Sequence, residues 1–458
     1  MQHVHFIGIC GTAMGSVAAA MKAKGFTVTG SDENVYPPMS TFLEDQGVQI
    51  FPGFKAENIP ETAEVIVVGN AISRGNEEAE AALERKLLYV SLPEILKEHF
   101  LRGKRNLVVS GTHGKTTTSS LLAWLLKNAG VDPSHMIGGI PRNLGKGAAF
   151  TDSDFVVLEG DEYDTAFFDK RSKFLHYLPE VVVVNNVEYD HADIYDSLDE
   201  IKLTFRRLLN IVPRNGMAFV NGDCPNSLDV ADGAPAPVTT VGLGESCDLQ
   251  VTEIEYASDC TRFDLDGERY QIPMAGEFNV RNAAMAVCAA KFSGFTPDKI
   301  RDGLLSFEGI ARRQEVRGIA GGVRVIDDFA HHPTAIGLAV DSLRQQYPDS
   351  RLWVIFEPRS NTTRRNIFQN ELASSLSKAD FAIVPAVPDP EKVPEADRLN
   401  PVKLVADVQS SGTECWYCET VTDIVALVGD NAQSGDTVAV LSNGGFEGIH
   451  QKLLDRLS

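Results

Sequence analysis

The stretch NLVVSGTHGKTTTSSLLAWLLKNAG, from Asn106 to Gly130, decides the fold of this chain. A strand-length apolar run leads into a glycine turn, and Lys115 then opens a helix with an apolar stripe. Backbone N–H groups in such a turn, the positive end of the helix and the lysine ammonium together suit a bound anion. The stretch therefore predicts a phosphate loop for a nucleoside triphosphate, shortened because Val109 stands where the usual loop has a glycine. The residues expected to contact the nucleotide are Gly111, Thr112, His113, Gly114, Lys115, Thr116 and Thr117.

Length and composition indicate a protein of two or three domains. The chain has 458 residues, 43% of them hydrophobic, which is more than one core usually holds. Its net charge of −21 argues against non-specific binding to nucleic acids or anionic membranes. The sequence shows no apolar run of membrane-spanning length and begins with a strand in place of a signal peptide, so we expect a cytoplasmic location. Seven scattered cysteines make a disulfide framework unlikely, and the lone pair Cys415 and Cys418 is read as ordinary strand cysteines.

Alternating strand-length and helical segments predict an α/β protein with parallel sheets covered by helices. We expect a Rossmann-like first domain, a central phosphate-loop domain with a small β patch near residues 237–275, and a Rossmann-like third domain. The expected boundaries are 1–102, 103–317 and 318–458.

A second glycine turn lies near the start of the chain. The pattern Gly8-x-x-Gly11-x-x-x-Gly15, with Asp32 ending the next strand, superficially matches a dinucleotide-binding fingerprint. It departs at the middle glycine, which is Cys10. The turn favours the pyrophosphate of a nucleotide or sugar nucleotide, with a packing-only turn as the alternative.

Two predicted strand ends in the central domain carry clusters of acidic residues. EGDEYD supplies Glu159, with Asp161, Glu162 and Asp164 behind it, and NNVEYDHAD supplies His191 between Asp190 and Asp193. Because Mg²⁺ prefers oxygen ligands and keeps several waters, one carboxylate with Thr116 and the phosphates would hold it. Glu159, the first acid after its strand, is the expected ligand. His191 is either a ligand for a second ion or a structural histidine.

Polar residues in later segments suit the ends of a bound nucleotide. Asn279 and Asn282 share one helix face and could read an adenine edge, although Asn279 could equally cap the helix. Arg312 and Arg313 suit a phosphate whose charge develops during transfer.

The segment DDFAHHP places two carboxylates, Asp327 and Asp328, beside two imidazoles, His331 and His332. Imidazoles in such a setting can act as general bases or as partners of sugar hydroxyls.

The chain resembles the Mur ligases, ATP-dependent amide-forming enzymes of cell-wall peptide synthesis, over its whole length. The motifs GTHGKTTT, EGDEYD, NNVEYDH, NVRNA, RRQE and DDFAHHP occur in that family's order and approximate spacing. The segments GICGTAMG, TGSDENVYPPMS, GNAISRGN, FFDKRSKF, EPRSNT and SNGGFEGIHQKLL are most similar to the branch that joins UDP-N-acetylmuramate to L-alanyl-γ-D-glutamyl-meso-diaminopimelate in peptidoglycan recycling. The alternative within the family is the branch that adds L-alanine in de novo synthesis.

The resemblance implies a reaction through an acyl phosphate, with ATP and Mg²⁺, two ions in all. It implies that Thr116 and Glu159 bind the first ion and His191 the second. Lys115 and Arg313 would neutralise the transferring phosphoryl group.

The remaining assignments also follow from the resemblance. Asn279 and Asn282 would hold adenine, Asp328 would reach the ribose or phosphates, and His331 would help deprotonate the incoming amine. The residues implied for the UDP-sugar are Gly8, Gly11, Thr12, Ala13, Met14, Ser31 and Asp32. Those implied for the peptide carboxylates are Arg359, Ser360 and Asn361. The expected partners are these small-molecule substrates, with the protein a monomer or homodimer.

One position departs from several family members, which carry a carbamylated lysine about fifteen residues after the histidine. Here that position is Arg206, beside Phe205, and the nearest lysine is Lys202. Outside the family, the first glycine turn leaves an NAD(P)-dependent oxidoreductase as an alternative, and the phosphate loop alone leaves a nucleotide switch that forms no bond.

Overall fold

The computed structural model describes residues 2–257 and 260–458, which form three successive α/β units. None of the helices in these two ranges has the length and apolar character needed to span a bilayer. The predicted α/β class, with Rossmann-like first and third domains around a phosphate-loop domain, is confirmed.

The first sheet runs in the order β3-β2-β1-β4-β5, and all of its pairings are parallel. Its central strand is buried along its length, as expected for a strand covered by helices on both faces. The strands are β1 (His3–Ile7), β2 (Thr27–Asp32), β3 (Gln49–Pro52), β4 (Val65–Val68) and β5 (Tyr89–Ser91). The helices are α1 (Thr12–Ala23), α2 (Met39–Asp45), α3 (Glu77–Glu84) and α4 (Leu92–Leu96).

The central sheet runs β17-β16-β15-β14-β13-β12-β6-β9-β7-β8, with the phosphate-loop strand β6 between β12 and β9. Its strands are β6 (Arg105–Ser110), β7 (Ser134–Met136), β8 (Ala148–Ala149), β9 (Phe155–Glu159), β12 (Val181–Val184), β13 (Met217–Asn221), β14 (Val238–Gly242), β15 (Leu249–Tyr256), β16 (Thr261–Leu265) and β17 (Glu268–Ile272). A separate hairpin joins β10 (Asp164–Ala166) to β11 (Asp169–Ser172). The helices are α5 (Lys115–Asn128), α6 (Leu198–Asn210), α7 (Pro225–Ala231), α8 (Glu277–Phe292) and α9 (Pro297–Leu305). Because β6, β9 and β12 are parallel, their carboxyl ends meet at one edge, where open α/β sheets place their sites.

The third sheet runs β18-β19-β23-β20-β21-β22 and is parallel apart from its first edge strand. Its strands are β18 (Glu315–Ala320), β19 (Val323–Asp328), β20 (Leu352–Phe356), β21 (Phe381–Pro385), β22 (Glu414–Cys418) and β23 (Thr437–Leu441). Its helices are α10 (Pro333–Gln346), α11 (Gln369–Leu376), α12 (Pro401–Ser410), α13 (Val421–Asn431) and α14 (Ile449–Leu457). The expected boundary after residue 317 falls inside β18, which pairs with β19.

A fully buried carboxylate ties the first domain together. Glu78, on α3, accepts hydrogen bonds from the Ser31 hydroxyl, from Asn58 Nδ2 at 2.7 Å and from the backbone N–H of Lys55 at 3.2 Å, and it lies 3.3 Å from His5 Nε2. A buried carboxylate is tolerated only when donors satisfy it in this way. The network fixes α3 against β1 and β2.

We expect Glu78→Gln to lower the free energy of unfolding by roughly 2–3 kcal/mol, because an amide N–H₂ would then face donors in place of an acceptor oxygen. Urea unfolding followed by far-ultraviolet circular dichroism measures the loss. Glu77→Gln, at the exposed neighbouring position, is the matched control. Equal unfolding midpoints for the two variants would show that the Glu78 network does not support the domain.

Candidate functional site

The phosphate loop is pressed closely against its neighbours. Gly111 and Gly114 have φ angles of +132° and +79°, which side chains rarely adopt. A Cβ at Gly114 would lie 2.3 Å from Asn282 Oδ1, and one at Gly111 would lie 3.0 Å from the backbone N of Asn186. Glycine is therefore required at both positions, and the loop backbone stays free to approach an anion.

The ammonium of Lys115 lies within a buried set of charges at the start of α5. Its Nζ is 2.8 Å from Glu162 Oε2 and 2.7 Å from the carbonyl oxygen of Gly111. Burial acts to lower the pKa of Lys115, but the Glu162 carboxylate outweighs it and the pKa is raised. Glu162 Oε1 also accepts from His191 Nε2 at 2.9 Å. The site therefore holds a charged lysine, a carboxylate and an imidazole in a row.

A hydroxyl and a carboxylate lie together at the ends of α5 and β9. Thr116 Oγ1 is 3.0 Å from Glu159 Oε1, and Glu159 Oε2 accepts the N–H of Gly138 at 2.8 Å. Burial raises the pKa of Glu159. Oxygen donors of this kind are what Mg²⁺ prefers, so the pair fits the predicted ion. Of the predicted metal residues, His191 contacts Glu162 and not this pair.

Residues just before and within the third domain complete the wall around the phosphate loop. Arg313 Nη2 donates to Thr116 Oγ1 at 3.1 Å. The Asp328 carboxylate accepts the backbone N–H groups of Gln314 and Ala330, at 2.8 and 2.7 Å, and burial raises its pKa. Arg313 and Asp328 line the same cleft as Lys115.

His331 lies in that cleft with one ring nitrogen already committed. Its Nδ1 is 3.0 Å from the carbonyl oxygen of Phe329 and so carries the proton, which leaves Nε2 as the acceptor. Burial lowers the pKa of His331, which keeps the ring neutral.

The two predicted adenine residues occupy different places. Asn279 lines the cleft and donates from Nδ2 to the carbonyl oxygen of Ala275 at 2.7 Å. Asn282 instead lies beneath Gly114 and does not line the cleft. Packing of α8 against α5 places its amide under the loop, and its assignment as an adenine contact stays a prediction.

The first glycine turn faces the same cleft. Gly8, Gly11, Thr12, Ala13 and Met14 line it together with Asp32, whose carboxylate accepts the N–H of Cys10 at 2.9 Å. Ser31, also predicted here, is fully buried and donates its hydroxyl to Glu78, so it supports the turn from below.

The loop after β20 carries the predicted peptide residues. Arg359 is exposed, and its guanidinium lies over Gly444, where a Cβ would be 1.6 Å from Nη1. Ser360 bonds Thr363 at 2.8 Å, and Asn361 Nδ2 donates across the domain interface to Asp193 at 2.9 Å. Arg359 is therefore the member of the three whose side chain is open to a ligand.

The cleft has a volume of about 2350 Å³ and runs between the three domains. A single drug-sized ligand typically occupies roughly 300–1,000 Å³. The space therefore suits more than one substrate at once. Glu162, which the sequence analysis names in the EGDEYD cluster without a role, contacts both Lys115 and His191.

Models of the Mur ligase family match most of the chain. The family's catalytic domain matches residues 3–104, its middle domain residues 109–290 and its glutamate ligase domain residues 312–444. The UDP-N-acetylmuramate–L-alanyl-γ-D-glutamyl-meso-2,6-diaminoheptandioate ligase of Escherichia coli strain K12 is 42% identical, with 99% of this chain and 98% of that protein covered. The ligase of the same name from Haemophilus influenzae is 38% identical, with 100% and 99% covered. The solved structure of a murein peptide ligase from Psychrobacter arcticus 273-4 is 36% identical, with a TM-score of 0.71 over 100% of this chain and 99% of that one.

The contact between Asp190 and Thr362 provides a test of how the third domain docks. Thr362 Oγ1 donates to the buried Asp190 carboxylate at 2.9 Å. Thr362→Val keeps the shape and removes this bond, which to a charged acceptor contributes about 1.5–3 kcal/mol. We expect amide hydrogen exchange at residues 189–193 to accelerate roughly tenfold or more.

The matched control is Thr363→Val, since Thr363 bonds Ser360 within its own loop. Unchanged exchange at residues 189–193 in Thr362→Val, or the same change in both variants, would contradict the role of the Asp190 contact.

Proposed function

The chain belongs to the Mur ligase family, and from that membership we propose that it joins UDP-N-acetylmuramate to the peptide L-alanyl-γ-D-glutamyl-meso-diaminopimelate at the expense of ATP. The observation that carries the proposal is the continuous cleft. It leads from the glycine turn at Gly11, past Lys115 and the Thr116–Glu159 pair, to His331 of the third domain. The proposed setting is peptidoglycan recycling in the cytoplasm, by a monomer or homodimer.

The reaction has two steps. A lactyl carboxylate oxygen attacks the γ-phosphorus of ATP, ADP leaves, and an acyl phosphate forms. The peptide amine then attacks the acyl carbon, phosphate leaves, and the amine loses a proton as the amide forms. Phosphoryl transfer depends mainly on positioning and charge neutralisation, for which Lys115 lies at the phosphate loop and Arg313 contacts Thr116.

Thr116 and Glu159 would hold a first Mg²⁺, and His191 a second. Bound there, the ions would neutralise charge on the phosphate oxygens. The oxygen donors of Thr116 and Glu159 are already 3.0 Å apart. Asn279 and Asn282 are proposed for the adenine of ATP, and Asp328 for its ribose or phosphates.

The acceptor peptide is proposed to enter beside the third domain. Arg359 presents an exposed guanidinium, whose planar fork matches a carboxylate. His331 has its Nδ1 bound to Phe329 O, so its neutral Nε2 can accept the amine proton. The glycine turn is proposed to bind the UDP-sugar, in particular through Gly11 and Thr12, which line the cleft.

ADP release measured with UDP-N-acetylmuramate, ATP and Mg²⁺ against a panel of amines tests the proposal. The panel contains L-alanine, the tripeptide and a tetrapeptide. Turnover with the tripeptide and not with L-alanine supports the recycling ligase. Turnover with L-alanine alone would assign the de novo reaction, and ADP release indifferent to the amine would indicate a nucleotide switch.

We expect Lys115→Ala to lower kcat by at least about 100-fold, because loss of one phosphate-stabilising group in such a site costs roughly 3–4 kcal/mol. Lys127→Ala, at the exposed far end of the same helix, is the control and should keep normal turnover. Near-normal turnover in Lys115→Ala would remove the lysine from the mechanism.

Arg359→Ala should chiefly raise the KM for the tripeptide, by about tenfold or more, and leave the KM for ATP unchanged, because a charged hydrogen bond contributes about 1.5–3 kcal/mol. Steady-state kinetics with each substrate varied in turn measures this. The control is Lys403→Ala, an exposed lysine on α12. An unchanged KM for the peptide would rule out the docking role of Arg359.

A further inference from the structure

Two imidazoles and a carboxylate meet where the third domain touches the phosphate loop. His113 Nε2 lies 3.3 Å from Glu188 Oε2, and His332 Nδ1 lies 3.7 Å from the same oxygen. The two rings are 4.6 Å apart between centroids. His113 belongs to the phosphate loop, Glu188 follows β12, and His332 caps α10 of the third domain.

The spacing of these atoms matches the ligand set of a tetrahedral metal site. One ligand atom from each residue lies within 4.8 Å of the others. Zinc–nitrogen and zinc–oxygen distances of 2.0–2.2 Å put neighbouring ligands about 3.4 Å apart in a tetrahedron. The observed 3.3 and 3.7 Å separations need only small side-chain shifts to reach this.

The protonation of His332 leaves a lone pair on the nitrogen nearer to Glu188. Its Nε2 is 3.2 Å from the carbonyl oxygen of Tyr189 and so carries the proton, which leaves Nδ1, 3.7 Å from the carboxylate, with a lone pair. A backbone carbonyl in this position is the usual outer partner of a metal-binding histidine. The competing bond, from Thr334 N–H to Nδ1, is long at 3.3 Å and could be replaced by an ion.

The charges of the cluster suit a cation. Burial and the neighbouring His113 lower the pKa of His332 to about 4, so its ring is neutral near pH 7. Burial acts to raise the pKa of Glu188, but the hydrogen bond from His113 outweighs it and lowers the pKa to about 2. Asp190 adds a second negative charge near His332.

We propose that His113, Glu188 and His332 form a binding site for Zn²⁺ or a similar borderline transition-metal ion, separate from the magnesium residues. Two imidazoles and one carboxylate with an open fourth position are a common zinc set, whereas Mg²⁺ prefers oxygen ligands. Because the ligands come from the central and third domains, a bound ion would hold these domains in the docked arrangement. The argument for this site does not rest on the ligase reaction proposed above, although His113 and His332 line the same cleft.

A second cluster, formed by Glu94, Asp169 and His176, has ligand atoms equally close together but a different charge pattern. Arg171 donates to both carboxylate oxygens of Asp169, at 2.9 and 2.8 Å. Since this guanidinium already supplies the positive charge, a cation there would be repelled. His176 therefore provides a matched control residue.

The test is titration of the metal-free full-length protein with ZnCl₂ in excess Mg²⁺, followed by calorimetry. We expect one Zn²⁺ per chain, with affinity at least about 100-fold weaker in His332→Gln and in Glu188→Gln, and unchanged in His176→Gln. Co²⁺ in place of Zn²⁺ should give the visible absorption of a four-coordinate site, lost in the first two variants. Circular dichroism checks that each variant is folded.

Domain docking supplies a readout independent of affinity. Zn²⁺ should slow amide exchange at residues 189–193 and 331–334 in the wild type and have no such effect in His332→Gln. Absence of stoichiometric binding would overturn the proposal. Binding that survives in folded His332→Gln and Glu188→Gln, or that is lost in His176→Gln or His191→Gln alone, would place the ion elsewhere and equally overturn it.

Discussion

The hydrogen bond from Arg313 to Thr116 is the contact on which the geometry of the cleft depends. It joins the segment before the third sheet to the first turn of the phosphate-loop helix, over 3.1 Å. The preceding residue, Arg312, donates to the carbonyl oxygens of Ser442 and Gly444, both at 2.7 Å. Its backbone has a φ of +60°. One short segment thus contacts both the phosphate loop and the loop at Ser442 and Gly444, over which Arg359 lies. The sites proposed for the two half-reactions are therefore positioned relative to each other.

The protonation states of the charged groups in the cleft depend on whether each group is buried with a partner of opposite charge. Lys115 is held ionised by Glu162, and Glu162 is held ionised chiefly by Lys115, because the attraction between them outweighs the cost of burial. Glu159 lacks a direct lysine partner, so burial raises its pKa instead. The two acids are three residues apart but differ in role. Glu162 balances the charge of Lys115, whereas Glu159 is the one whose charged form a bound cation would stabilise.

Sequence reasoning succeeds here where function depends on local order along the chain. The phosphate loop was predictable because strand, glycines, Lys115 and helix are consecutive, and the three-domain α/β fold because strand and helix patterns alternate. It says less where packing decides. Ser31 carries no local sign that its hydroxyl will meet Glu78, 47 residues later, and Asn282 carries none that α8 will press it beneath Gly114. The boundary expected after residue 317 divides β18, because the pairing of this strand with β19 is not visible in the strand and helix pattern.

The position at which several family members carry a carbamylated lysine is Arg206, on α6. Lys202 and Arg206 both pair with Asp229 of α7, at 3.2 and 2.9 Å, so neither side chain turns toward His191. The anionic group that contacts His191 is instead Glu162, at 2.9 Å, delivered by the EGDEYD segment after β9. A carbamylated lysine and a glutamate present the same chemistry, a carboxylate-like pair of oxygens. The negative charge beside the histidine therefore comes from the segment after β9 and not from α6.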